Sequence, residues 1–209
     1  MRKRSQISFT VSLAILAAIC LPVLAQSQRY PTDAEVQRLI ARFRQQKQVV
    51  ADERTPSQIR IRDTFVRAWS QSDSSIAPFL GEWLSALETS YAQTLIIYPS
   101  SSRGRVCIIH GYFPDGDDAS TFLFAMGSVS NGQIRIDRGD LGRSLAIKQG
   151  NDLALLGIYK SQGADIWKFS YPKPLKQPTR PSLQNKPEAA KIIQQFNSNG
   201  CTAYPPESI

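Results

Sequence analysis

The turn inside Ser128-Val-Ser-Asn-Gly-Gln-Ile-Arg-Ile136 constrains this chain more than any other stretch. Asn131-Gly132 supplies the two positive-φ positions that a two-residue hairpin needs, and behind it Ile134 and Ile136 alternate with Gln133, Arg135 and Asp137. The same rhythm of short apolar and β-branched runs, broken by turn residues about every ten positions, extends from Phe79 to Tyr171. It predicts eight strands, over about Phe79–Leu87, Tyr91–Tyr98, Arg105–Phe113, Thr121–Val129, Gln133–Asp137, Leu145–Lys148, Leu153–Lys160 and Asp165–Tyr171. Further turns are expected at Gly150-Asn151-Asp152 and Gln162-Gly163. The fold class is therefore mainly β within α+β: an antiparallel meander that forms a barrel or a strongly curved sheet. In the last strand Trp167, Phe169 and Tyr171 share one side, which is expected to face a core.

Helical signals precede the meander. Thr32 with Glu35 forms a capping box, and Val36, Leu39, Ile40, Phe43 and Val50 recur at helical spacing, predicting a helix over Thr32–Glu53. Thr55-Pro56 with Gln58 opens a second helix, whose apolar stripe is Ile61, Phe65 and Trp69 and which ends in the polar run Ser70 to Ser75. After Pro172 the chain turns proline- and lysine-rich, the composition of an extended basic arm that does not pack, and then offers a short helix over Pro187–Phe196.

The first residues pair a cationic start (Arg2, Lys3, Arg4) with an apolar run from Ile7 to Leu21 and a small-residue site at Val23 and Ala25, the pattern of a secretory signal peptide. The chain then divides into a signal segment 1–25, a helical segment 26–75, a β-meander domain 76–172 and a C-terminal arm with its helix, 173–209. Without the signal, Cys107 and Cys201 are the cysteines that remain, and in an oxidising compartment such a pair is expected to form a disulfide. The expected location is periplasmic, lumenal or extracellular, with no transmembrane segment after cleavage.

The formal net charge of +8 falls to +5 without Arg2, Lys3 and Arg4. Residues 29–67 carry nine Lys or Arg against five Asp or Glu and residues 168–191 carry six against one, whereas residues 68–167 carry seven against ten. The ends are basic and the meander is not. In an exported protein this favours an anionic envelope lipid or polysaccharide, or a protein partner, over nucleic acid.

Gly81-x-Trp83 opening a run of sequential strands, with a cysteine in the tail, resembles the lipocalin and wider calycin β-barrels. The resemblance covers about Phe79 to Tyr171. It implies a barrel with Trp83 sealing one end, a small apolar ligand inside, and a cation near the last strand packed on that tryptophan, for which this chain offers Lys168. Strands this short, eight in the 93 residues from Phe79 to Tyr171, predict instead a barrel filled by its own side chains. The segments Tyr98–Ser100, Gly104–Cys107 and Val129–Gln133 are similar to an uncharacterised family of secreted cyanobacterial proteins, which implies no activity. Phe65 to Ser75 resembles the helix that opens nuclear-transport-factor-2-like folds.

His110 is the one histidine, so imidazole chemistry of any kind passes through it. No Gly-x-Ser-x-Gly accompanies it, and Ser170-x-x-Lys173 is interrupted by Pro172, which forbids the helix that would align serine with lysine. Asp115, Asp117 and Asp118 have the alternate spacing of a calcium loop, but Ala119 and Met126 stand where an EF-hand places ligands. Arg138-Gly139-Asp140 is a tripeptide match that carries no weight alone. The sequence thus reads as an exported, non-enzymatic binding or interaction protein, with Trp83, His110 and Trp167 as candidate binding residues, no catalytic or metal site and no cofactor. The alternatives are a lipocalin-like carrier of a small apolar ligand, and a hydrolase of an envelope polymer using His110 with a carboxylate of the 115–118 turn.

Overall fold

A computed structural model describes residues 29–47, 50–85, 91–114, 120–138, 142–159 and 163–206. The signal segment, the aspartates at 115, 117 and 118, and Gly139 and Asp140 lie outside the described residues. The strands are β1 (Gly81–Ser85), β2 (Tyr91–Pro99), β3 (Arg105–Pro114), β4 (Thr121–Ser130), β5 (Gln133–Asp137), β6 (Arg143–Gln149), β7 (Asp152–Tyr159) and β8 (Gly163–Lys173). Each pairs with the next, and β1 also pairs antiparallel with β8, so the meander closes into a barrel rather than a curved open sheet.

The β4–β5 hairpin turns at Asn131 and Gly132 with φ of 53° and 71°, and Ser130 faces Gln133 in register. Alternation then sends Ile134 and Ile136 inward, where they join Leu95, Ile97, Val106, Ile108, Leu153, Leu155 and Phe169 in one buried cluster. The interior is tight around Gly127. A Cβ at Gly127 would come within 2.5 Å of Ile134 and 2.9 Å of Val106, so that strand position has room for glycine alone.

Three α-helices stand among the described residues, and each covers a different part of the barrel. Helix α1 (Asp33–Gln45), opened by the Thr32/Glu35 capping box, lays Leu39, Ile40 and Phe43 on the outer face of β6–β8, against Leu145, Ala154, Leu156 and Ile166. Burial of such side chains stabilises by about 1.5–3 kcal/mol each. It stops short of the expected Glu53, because Gln46 is already extended. Helix α2 (Pro56–Ser72) and a short 3-10 turn, Ala77–Phe79, cap one end of the barrel, and Trp69, Ile76, Phe79 and Leu80 join the interior cluster. Helix α3 (Ala189–Ser198) sets Ala189, Ile192 and Phe196 on the outer face of β2–β4, beside Tyr98, Ile109 and Phe122. Cys107 and Cys201 lie in that contact and form a disulfide with a Cα–Cα separation of 6.0 Å.

Three further details differ from expectation. Ile61 does not face the core but is 57% exposed, since α2 meets the barrel only along the side that carries Trp69. Tyr171 takes a φ of 52°, leaves the alternation of β8 and lies under the Arg54 guanidinium at 5.4 Å. The proline-rich arm packs: Leu183 is buried in the α3 cluster, a second 3-10 turn forms at Pro181–Leu183, and the Tyr98 hydroxyl donates to the Lys176 carbonyl at 2.9 Å. An extended, proline-stiffened segment lacks a ladder of its own but still covers apolar surface.

Candidate functional site

The barrel interior has two different ends. At the end capped by α2, Trp83 is fully buried and its indole Nε1 donates to the Phe79 carbonyl at 2.7 Å. Arg62 lies over the ring at 5.8 Å and donates from Nε and Nη2 to the Leu80 carbonyl at 3.3 and 3.2 Å. Lys148 also meets the ring, with Nζ at 4.7 Å, and burial together with the charge of Arg62 brings its ammonium down to about 8. The cations on the tryptophan are thus Arg62 and Lys148. Lys168, expected there, sits outside the barrel, paired with Asp152 at 3.2 Å and 5.3 Å over Phe43. Gly81 carries a φ of 143°, and a Cβ on it would stand 3.0 Å from Pro172 across the closing seam. The Gly-x-Trp therefore joins two jobs: glycine lets β1 meet β8, and tryptophan plugs the end.

Toward the other end the lining turns polar. His110 pairs with Leu95 of β2 and Leu123 of β4 in the sheet, and its ring faces Phe169 across the interior at 6.3 Å between centroids. Its Nε2 lies 2.9 Å from Gln93 Oε1. A carbonyl oxygen can only accept, so Nε2 carries the proton of a neutral imidazole. Burial, and secondarily the charge of Arg138, pushes the imidazole down to about 3. Gln93 is 3% exposed, and its amide nitrogen has no hydrogen-bond partner among the described residues. Ser85, on the same side of β1 as Trp83, has a buried hydroxyl in the same condition. Trp167, paired with Leu155, is half-buried against the interior cluster.

The structure thus brings His110 and Trp167 to the barrel interior and assigns Trp83 to the capped end. It adds Gln93 and Ser85, which the sequence reading missed. Their signal was parity: Gln93 shares the inward parity of Leu95 and Ile97, so a polar side chain there had to be buried. Among the described residues no group of three or more His, Cys, Asp or Glu side chains is placed to hold a metal. An imidazole held neutral against an amide is a hydrogen-bonding group, and its hydrogen-bond partner among the described residues is that amide. Comparison of the chain with protein-family models, curated proteins and solved structures returned no match.

Proposed function

We propose that this protein is an exported binding barrel that takes a small, largely apolar molecule bearing a carbonyl or carboxylate group. The molecule occupies the half of the interior lined by Gln93, His110 and Ser85. One observation carries the reading: the Gln93 amide is buried in an apolar barrel with its nitrogen unpartnered among the described residues. Leaving such a donor unsatisfied costs about 1–3 kcal/mol, so a ligand oxygen that accepts from it recovers that free energy on binding. The apolar body of the ligand would contact Phe169 and Trp167. The closed meander gives such a molecule an interior to enter, and the cationic, apolar N-terminus supports export.

Tryptophan fluorescence tests the reading, because Trp167 packs against the interior cluster. Fatty acids and retinoids titrated into the purified protein should quench emission saturably, and Gln93→Leu should weaken that binding about tenfold, the loss of one buried hydrogen bond. Quenching that is absent with every ligand, or is identical in Gln93→Leu, would sink the proposal.

A further inference from the structure

An apolar groove lies outside the barrel, between α2 and the C-terminal segment. Ile61, Phe65 and Ala68 form one wall, and Leu175, Ala203 and Pro205 form the other, enclosing about 410 Å³. The walls are held in place before anything binds. The indole of Trp69 donates to the Tyr204 carbonyl at 3.1 Å, tying the C-terminal segment to α2, and the Cys107–Cys201 disulfide anchors that segment two residues before Ala203. Ile61 is 57% exposed, so the groove presents a large apolar side chain to water.

The rim is cationic. Arg60 lines the groove, and Arg67, seven residues further on, lies two helical turns along the same side of α2. Both are exposed, and no carboxylate is among the described residues that line the groove. The lining offers few hydrogen-bonding groups, chiefly the Thr64 hydroxyl and the Arg60 guanidinium. A peptide laid there would bring backbone N–H and C=O groups that need partners, whereas an acyl chain brings none. Arginines beside an apolar groove suit the boundary between lipid tails and headgroups.

We propose that this groove docks the protein on an anionic membrane, one acyl chain entering between α2 and the C-terminal segment while Arg60 and Arg67 meet the headgroup phosphate. The site is separate from the barrel interior and stands or falls independently of it.

Vesicle flotation tests it. The purified protein should float with vesicles containing phosphatidylglycerol, bind pure phosphatidylcholine vesicles far less, and lose binding as salt screens the headgroups. Arg60→Glu/Arg67→Glu should weaken binding about thirtyfold or more, on the usual contribution of a basic residue near an anionic surface. Ile61→Glu should abolish it. All three side chains are exposed, so melting temperatures should hold, and Lys191→Glu, exposed on α3, serves as the charge control with a much smaller loss. Equal binding to both vesicle types, binding indifferent to Ile61→Glu, or a groove that takes free fatty acid or an apolar peptide while the protein ignores vesicles, would overturn the proposal.

Discussion

The imidazole of His110 and the side-chain amide of Gln93 form a single hydrogen-bonded unit, 2.9 Å apart, inside a barrel whose other lining is mostly aliphatic. Neither is well placed alone. Removing one partner leaves the other buried and unpaired, whereas removing both leaves an apolar interior.

That pairing predicts a non-additive cycle. Gln93→Leu should destabilise the protein by about 1–3 kcal/mol because His110 keeps a buried N–H with no acceptor. Gln93→Leu/His110→Leu should recover much of the loss. Urea unfolding of the four proteins gives the answer, and additive losses would mean that the two side chains do not act together.

The same histidine sets a pH dependence. Its folded value, about 3, lies below the unfolded value near 6.5, so between those limits the unfolded chain binds the extra proton and stability falls as pH falls. The contribution is complete above the unfolded value. From pH 6.5 to 5, above the range where most carboxylates titrate, the slope approaches about 1.4 kcal/mol per pH unit. His110→Gln should flatten it. Parallel melting-temperature curves for the two proteins across that window would show that His110 is not the group responsible.

At the capped end, Trp83→Ala should cost about 3–5 kcal/mol through lost burial and the cavity left behind. Arg62→Lys should not restore the effect of losing Arg62, because a single ammonium cannot reproduce the guanidinium's two bonds to the Leu80 carbonyl while covering the ring. Melting temperatures of Arg62→Lys and Arg62→Ala should be close to one another and below that of the parent.

Asn131 holds a φ of 53°, a region that β-branched residues resist. Asn131→Val should therefore lower the melting temperature more than Asn131→Asp, which tolerates the left-handed turn. Equal temperatures would mean that the hairpin contributes little to global stability.

The Cys107–Cys201 bond joins positions 94 residues apart, for which the chain-entropy view gives about 4–5 kcal/mol of stabilisation. Non-reducing peptide mapping should recover the linked pair, and Cys107→Ala/Cys201→Ala should unfold at clearly lower denaturant.

Strand pairing was legible in the sequence because turn chemistry is local: Asn131-Gly132 fixed one hairpin, and the alternating strands on either side followed from it. The two N-terminal capping boxes were legible for the same reason, since each is decided within four residues. Closure was not, because the meeting of β1 with β8 depends on Gly81 and Pro172, which are 91 positions apart. The cation on Trp83 was sought near the last strand and came from α2 and β6 instead, a packing relation that no spacing encodes. Ile61 read as core because helical periodicity identifies an apolar stripe but not how much of it the rest of the fold covers. The polar end of the interior was half legible. His110 stood out as a lone imidazole, while Gln93 looked like an ordinary strand polar until its parity placed it inside.

Closure between the first and last strands also dictates how this chain must assemble. A sheet with no free edge gives another chain no row of backbone groups to pair with, but that protection appears only once β8 is seated beside β1. A sheet of β1 through β7 alone would have two open margins. A chain cut before Gly163 should therefore self-associate through those margins rather than persist as a smaller folded unit, and newly made protein is most vulnerable to aggregation in the interval before its last strand arrives.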